Sequence, residues 1–430
     1  MLIEQKKCQV CGVENWESLD YLRDNVAWYR RDFREENEPV GFKICKECGF
    51  LTYDYVDEKR LSESYNRQRP IMIAQNIVTC NRKNEYHKKM LLPHAKLDYK
   101  VLDVGCAQGA TLNFLKENGL KAENLYGTEH SRSFANFARF EYGLKNITEE
   151  IDYTQEYDII MLYHVFEHIQ NPSDFLQKIK AILKKDGFLY VSIPRYLDRL
   201  EETSGSFIED FEEFYHLNHV NVFSLQSFKN IMHKNGLKIT EYDDKMYGYT
   251  AMFVVDKEQP IIPEDYKPII EKLEKQKKAI ECMKKKDFEG AIAIDKTYID
   301  AYIYLALNSK NMKDYNAQHA IFENALVANP DATKILNQLA RLYYQFDETT
   351  PEKNFYSNNI KKSEEIFERL LREKPGNEDL HYFLGLINSK YKKDYSAALY
   401  HMKRFLEINP TKFNEAYSLI SWIYNVMEKQ

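Results

Sequence analysis

The sequence predicts an α/β protein whose central domain is wound on a largely parallel sheet, with a small four-cysteine module before it and an all-α helical repeat domain after it. Three observations predict this. At 101–115 the apolar strand V-L-D-V-G turns through C-A-Q-G directly into the amphipathic run A-T-L-N-F-L. C-x-x-C-G occurs twice before residue 50, and beyond Pro260 and Pro263 no β-rich run appears.

A chain of 430 residues that is 44% hydrophobic can bury more than one core, so two or three domains are expected. A net charge of −6, with no block of Lys and Arg, gives no field to hold nucleic acid. The opening M-L-I-E-Q-K-K-C lacks the apolar core of a secretion signal, and no apolar run approaches the ~18 residues of a membrane span. A cytoplasmic protein is expected. Seven cysteines, as two close pairs and the singletons Cys80, Cys106 and Cys282, then argue for metal binding over disulfides.

In chain order, Cys8-x-x-Cys11-Gly12 and Cys45-x-x-Cys48-Gly49 are two knuckles of one type, each closing on a glycine that can turn backbone N–H groups toward the thiolates. Four sulfurs are the count of a closed tetrahedral Zn²⁺ site, and with no coordination position left open its role is structural. The gap between the knuckles is longer than in an ordinary ribbon, but 20–38 can loop out. Residues 1–58 are therefore read as a zinc ribbon. From 59 to 94 the pattern is helical and polar, with Tyr65, Arg67 and Arg69 leading in.

The central domain alternates strands, near 100–104, 124–128, 145–148, 158–163 and 187–193, with helices near 110–119, 132–142 and 172–184, the pattern of a parallel sheet. A last helix, 225–235, precedes strands near 237–243 and 248–256, which have no helix between them and read as an antiparallel hairpin. The connection 196–218, with Glu209, Asp210, Phe211, Phe214 and Tyr215 in its middle, is too long for plain connection and is a candidate substrate wall.

A strand that ends in glycine and restarts as a helix puts N–H groups and a helix N-terminus at one point, a cofactor cradle. Gly105 and Gly109 are spaced D-x-G-x-x-x-G rather than G-x-G-x-x-G, so pyrophosphate is not the favoured ligand. Glu129, at the tip of the next strand, can accept hydrogen bonds from both hydroxyls of a ribose. At these residues the chain resembles the class I S-adenosylmethionine-dependent methyltransferases. Y-D-I-I-M-L-Y-H-V-F-E-H-I-Q-N-P at 157–172, G-F-L-Y-V-S-I-P at 187–194 and N-H-V-N-V-F-S-L-Q-S-F at 218–228 carry the resemblance on, the last resembling a subgroup that often modifies sugars.

The resemblance implies a Rossmann-like seven-stranded methyltransferase core over 59–258 with a helical lid, and S-adenosylmethionine as cofactor. It implies cofactor contacts from Asp103, Gly105, Cys106, Ala107, Gly109, Glu129, His130, Tyr163 and His164. Tyr65 and Arg69, in the lid, either reach the cofactor or the acceptor or form a solvated helix face. Cys106 reads as a small packing residue, since methyl transfer from a sulfonium needs no covalent intermediate.

If the acceptor is a hydroxyl, a general base helps, and histidine suits neutral pH. The candidates are Tyr163, His164, Glu167 and His168 after the fourth strand and His216 and His219 before the last helix, with His168, His219 and His216 as the catalytic choices. His168 and His219 match histidines of the zinc-containing sugar C-methyltransferases. That family's Y-x-E-H motif reads His216-Leu217-Asn218-His219 here, without the tyrosine and glutamate expected to assist carbanion formation. O-methylation of a sugar, nucleotide sugar or glycan is accordingly expected.

From 264 to 430 helices follow one another, punctuated by Pro330, Pro375 and Pro410, with small residues recurring among Leu and aromatics. The pattern resembles tetratricopeptide repeats at their ~34-residue period, the second lengthened over 347–356. Stacked helical hairpins build concave surfaces that take partner proteins. A protein partner or multimerisation is therefore expected, and two rival readings stand: a protein methyltransferase whose repeats dock the substrate, and a scaffold with a degenerate core.

Overall fold

The computed structural model describes residues 2–22, 41–57, 71–195, 197, 215, 218–244, 248–308, 314–349 and 356–428. By their contacts they belong to two compact units, 1–73 with 95–298 and 74–94 with 299–430. The sequence boundaries at 58 and 263 thus mark changes of composition rather than edges of packing.

The first unit begins with β1 (Leu2–Glu4), β2 (Trp16–Ser18), β3 (Phe42–Cys45), β4 (Leu51–Tyr53) and β5 (Tyr55–Asp57). β1 pairs with β5, while β2, β3 and β4 form an antiparallel ribbon. The main sheet follows: β6 (Val101–Val104), β7 (Leu125–Thr128), β8 (Asn146–Thr148), β9 (Tyr157–Tyr163) and β10 (Leu183–Ile193). Later in the chain come β11 (Asn221–Val222), β12 (Leu237–Asp243) and β13 (Tyr249–Val255). Among the described residues the main sheet has seven strands in the order β12-β13-β10-β9-β6-β7-β8. The central pairs are parallel, and β13 runs antiparallel to both β10 and β12.

The expected elements lie within a few residues of the observed ones, because their signals are local. β9 is a continuous apolar run buried from Ile159 to Leu162, as a parallel strand covered on both faces must be. Parallel neighbours need crossovers. Of the helices after the lid helix α1 (Ile71–Met90), α2 (Ala110–Glu117), α3 (Arg132–Phe140) and α4 (Pro172–Ala181) supply them. α5 (Leu225–Lys234) starts on a capping box in which the Ser224 hydroxyl accepts from the Ser227 N–H and the Ser227 hydroxyl from the Ser224 N–H.

The ribbon is not a separate module. β11, from the stretch before α5, pairs with β4 and becomes the fourth ribbon strand. Cys8, Val10, Cys45, Cys48 and Phe50 share one core with Phe166, Phe223 and Phe228. The first two helices after Pro263, α6 (Lys267–Lys284) and α7 (Phe288–Ile294), also belong to this unit. Tyr215 donates its hydroxyl to Gln276 at 2.6 Å, Tyr21 donates to Glu274 at 2.9 Å, and Gly49 leaves no room for a Cβ beside Ile269.

In the second unit, α8 (Ile299–Leu307), α9 (Tyr315–Ala328), α10 (Thr333–Thr349), α11 (Asn358–Glu373), α12 (Glu378–Ile387), α13 (Tyr395–Ile408) and α14 (Phe413–Met427) each pack on the next. The expected lid helix joins them. From residue 74 onward α1 belongs by its contacts to this unit: Arg82 is bidentate to buried Glu378, Arg404 pairs with Glu85, and Asn81 donates to the Ile408 carbonyl. A Cβ on Gly376 would fall 2.1 Å from the Arg82 carbonyl, so only glycine lets the two backbones meet there. No helix among the described residues is long and apolar enough to cross a membrane.

Two histidines of this unit face each other, His381 and His401, with their Nδ1 atoms 2.9 Å apart. Burial, then the neighbouring His401 and Arg404, lowers His381 to about 3. Burial lowers His401 to about 4, with Glu364 opposing and Lys392 assisting. A histidine lowered in the fold is protonated more readily when unfolded, so its contribution is full above the unfolded value near 6.5 and is lost as pH falls from there toward 3 to 4. The helical unit is expected to lose stability between pH 7 and 5, by at most roughly 2 kcal/mol per ring at pH 5. Thermal melts at both pH values check this; a His381→Leu, His401→Leu double variant with an equally steep pH profile would sink it.

Candidate functional site

The turn after β6 is fastened at both ends. Gly105 donates its N–H to the Thr128 hydroxyl at 3.2 Å, Cys106 to the Thr128 carbonyl at 2.9 Å, and Gly109 to the Cys106 carbonyl at 2.8 Å. Gly105 and Gly109 take φ +68° and +75°, and a Cβ at Gly109 would lie 2.9 Å from both Ala138 and Leu144. Ala107 is left-handed too, at φ +48°, without glycine's freedom. The turn thus keeps a shape its own sequence disfavours, held by its neighbours.

Asp103 is buried at the end of β6, and Glu129 stands beyond the end of β7. Glu129 Oε1 accepts from the Ser131 N–H at 2.6 Å. Burial raises this carboxyl above its usual value, and hydrogen bonds from the Ser131 and Ala107 N–H groups pull it back. Ala107 of the turn therefore lies near enough to the carboxylate to influence its charge. His130 is exposed. Cys106 is buried against the space a Gly127 side chain would fill, and burial first, then Asp103 and Glu129, raises its thiol well above the ordinary value. Gln108, fully buried in the same turn, carries no family signature, and only its place inside the glycine loop could have marked it.

β9 runs between β6 and β10, so its carboxyl end lies beside the cradle. A Cβ on Gly105 would meet Val165 Cγ2 at 2.9 Å, which brings the loop after β9 against the turn after β6. In that loop the Tyr163 and His164 rings are 4.9 Å apart, His164 adopts φ +55°, and its N–H donates to the Ser192 carbonyl at 2.9 Å. A 3₁₀ turn, Phe166–His168, follows.

The structure brings His168 and His219 together, with ring centroids 4.7 Å apart. Between them lies Glu167, 1% exposed, whose Oε1 is 3.4 Å from His164 Nδ1, 3.9 Å from His168 Nε2 and 4.0 Å from His219 Nε2. His168 Nδ1 is 2.7 Å from the Asn218 carbonyl. A carbonyl only accepts, so Nδ1 carries the hydrogen of this bond. Asn221 clamps the two halves, donating its side-chain N–H to the Ile169 carbonyl at 2.6 Å. The roles of Asn218 and Asn221 were invisible in the sequence, because each acts through a contact some 50 residues distant. His216 and Tyr65, and most of the expected substrate wall, lie outside the described residues.

Thr52 donates its hydroxyl to the Val220 carbonyl at 2.8 Å, and Tyr53 donates to the Tyr215 carbonyl at 2.8 Å. The stretch bearing His219 is thus strung on ribbon strand β4. In the ribbon, Cys8 and Cys48 sulfurs are 3.6 Å apart and those of Cys11 and Cys45 3.4 Å, with all four within 4.8 Å. A tetrahedral ion with bonds of ~2.3 Å has edges of roughly 3.8 Å, so the four thiolates fit zinc. Gly12 and Gly49, at φ +85° and +67°, donate to the Cys8 and Cys45 carbonyls and close the knuckles.

Chelation, or Cys45→Ser, is accordingly expected to raise hydrogen exchange at 218–223 together with the knuckles, not at the knuckles alone. Exchange that rises only before residue 55 would break the proposed link.

Residues 65–242 match the family described as a methyltransferase domain. The ubiquinone/menaquinone biosynthesis C-methyltransferase UbiE of Campylobacter jejuni is 24% identical over 215 residues, 41% of this chain and 86% of that protein. The C-methyltransferase NovU of Streptomyces niveus is 23% identical over 254 residues, 55% of this chain and 56% of NovU. The ubiquinone biosynthesis O-methyltransferase of Glaesserella parasuis is 29% identical over 104 residues, 22% of this chain and 44% of that protein. All three relatives are methyltransferases by name, and the matching methyltransferase domain makes this chain an S-adenosylmethionine-dependent methyltransferase.

Proposed function

We propose that the acceptor is a hydroxyl on a sugar, nucleotide sugar or glycan, and that the Glu167, His168 and His219 cluster activates it. The observation that supports this reading is the approach of Val165 to Gly105, which brings the loop that leads into Glu167 and His168 against the glycine turn. S-adenosylmethionine supplies a methyl group already activated on a sulfonium. The protein's own tasks are then alignment, exclusion of water and removal of the acceptor's proton. In this assignment Glu129 accepts from the ribose hydroxyls, the turn at 105–109 sits under the cofactor, and the imidazole face at 168 and 219 meets the acceptor oxygen.

The relatives include both C- and O-methyltransferases, so the bond formed has to be argued from residues. The tyrosine and glutamate of the sugar C-methylating motif are replaced by His216 and Asn218. That favours oxygen.

Zinc in the ribbon is structural in this reading, and the helices from α8 to α14 are tetratricopeptide-like repeats that recruit a protein partner. Cysteines used for metal rather than disulfides suit a reducing cytoplasm.

Incubation with labelled S-adenosylmethionine and a panel of nucleotide sugars and glycan fractions is expected to give a saccharide heavier by one methyl group, removable by ether-cleaving acid. A methyl that resists that treatment marks a carbon acceptor, and label found only on protein overturns the sugar assignment in favour of docked protein substrates. Glu129→Ala is expected to weaken S-adenosylmethionine binding roughly 10- to 100-fold, the effect of losing charge-assisted hydrogen bonds that water partly replaces. Unchanged affinity by calorimetry removes Glu129 from the cofactor site.

A further inference from the structure

We propose that Glu167, His168 and His219 form a metal site distinct from the four cysteines, open to solvent or acceptor and suited to a borderline divalent transition cation. Their ligand atoms all lie within 4.8 Å of one another.

The argument begins with what Glu167 lacks. Its carboxylate is buried, yet neither oxygen has a hydrogen-bond partner. Isolated buried charge is disfavoured strongly enough that carboxylates in such positions are paired, protonated or bound to metal. Pairing with His168 is poor. Its Nδ1 hydrogen is committed to the Asn218 carbonyl and its Nε2 stays 3.9 Å from Glu167 Oε1, while His219 Nε2 stands 4.0 Å and His164 Nδ1 3.4 Å from the same oxygen. An imidazolium bonded to a carboxylate would close to roughly 2.8 Å. With three imidazole nitrogens 3.4 to 4.0 Å from one carboxylate oxygen and no hydrogen bond closed, the cluster leaves room for a third body that is positively charged.

The spacing fits such an ion. Bonds of ~2.1 Å from nitrogen and oxygen give ligand-to-ligand edges of roughly 3 to 3.5 Å, so modest contraction of this cluster around an ion completes the site. The second shell is also in place. The backbone carbonyl on His168 Nδ1 fixes the tautomer and orientation as carbonyls do behind metal-bound histidines. Asn221 ties the strand after His219 to the turn after His168. Both histidine-bearing segments therefore rest on fixed backbone, which a preorganised metal site requires.

Two imidazoles and one carboxylate favour Zn²⁺, Mn²⁺, Fe²⁺ or Co²⁺ over Mg²⁺ or Ca²⁺, which prefer all-oxygen sets. Three protein ligands leave positions for exchange, and the His164 and His168 side chains, 28% and 19% exposed, mark the accessible side. The contrast with the ribbon is direct: four thiolates leave no open position, and this site leaves at least one. Its position makes a coordinated hydroxyl the natural exchangeable ligand, and this last point alone rests on the acceptor proposed above.

The test uses the full-length protein with its ribbon loaded with zinc. Titration with Mn²⁺ alone, read by the loss of the free-ion paramagnetic resonance signal, reports nitrogen and oxygen sites, since Mn²⁺ competes poorly for thiolates. One Mn²⁺ per chain is expected, or, where a tighter ion is retained from expression, two metals per chain by elemental analysis. Glu167→Gln and His219→Ala should each weaken Mn²⁺ at least tenfold, or lower the metal count to one, while S-adenosylmethionine binding stays intact and reports that the variants are folded. A wild-type chain that holds only the ribbon ion and takes no Mn²⁺, or variants that bind Mn²⁺ as wild type does, overturns the site. Methyl transfer to a saccharide by protein shown to hold no second metal sinks this inference and leaves the proposed function standing; Mn²⁺ bound at Glu167 with no saccharide methylated does the reverse.

Discussion

The pairing of Asn221–Val222 with Leu51–Tyr53 is the interaction on which the arrangement of the first unit turns. A two-residue strand contributes little hydrogen bonding by itself. Its weight comes from what flanks it: Phe223 lies 5.3 Å from ribbon Phe50 and stacks at 5.5 Å on Phe166, the first residue of the turn that carries Glu167 and His168. One aromatic column therefore runs from the cysteine ribbon to the turn that carries Glu167 and His168. Because cores are close-packed, a displacement at one end has few ways to be absorbed before the other. The ribbon is thus part of the packing that holds this turn rather than an appendage.

The same economy governs the cofactor side. Thr128 accepts from two successive N–H groups of the glycine turn, and Ala107 of that turn lies close enough to the Glu129 carboxylate that follows Thr128 to favour its charge. Two adjacent parallel strands are laced together at their carboxyl ends. The cradle's shape and the position of its acidic partner are set by one network, which is why a departure from the commoner glycine spacing does not leave the turn slack.

Much of this was legible in the sequence because it is written locally. Strand-glycine-helix order, the buried run of β9, the capping serines and the paired knuckles each need only a short window to be read. The ends of 172–184 and 187–193 were read less well: β10 begins already at Leu183 and carries a register shift before Phe188, so the polar Lys184, Lys185 and Asp186 hid its first turns. What stayed hidden altogether depends on distant contacts. Nothing near Gly376 says that it must admit the Arg82 backbone, so α1 reads as a lid when its partners lie in the helical unit. Nothing near Asn221 says that it will bind the carbonyls around Glu167, and nothing near Ile169 announces the partner. Local pattern gave the parts, and side chains reaching across 50 to 300 residues decided which parts are neighbours.

Ala107 and His164 carry the left-handed backbone at the two turns that face each other across Gly105 and Val165. For residues with a Cβ that conformation costs roughly 1 to 2 kcal/mol each, and glycine would adopt it freely. A search for stabilising substitutions in this protein would therefore find glycine at 107 and 164 attractive. It would also be exchanging a rigid hinge for a loose one at both turns. Selection for thermal resistance and selection for turnover pull these two positions in opposite directions, and a laboratory lineage evolved for one property alone would be read most clearly there.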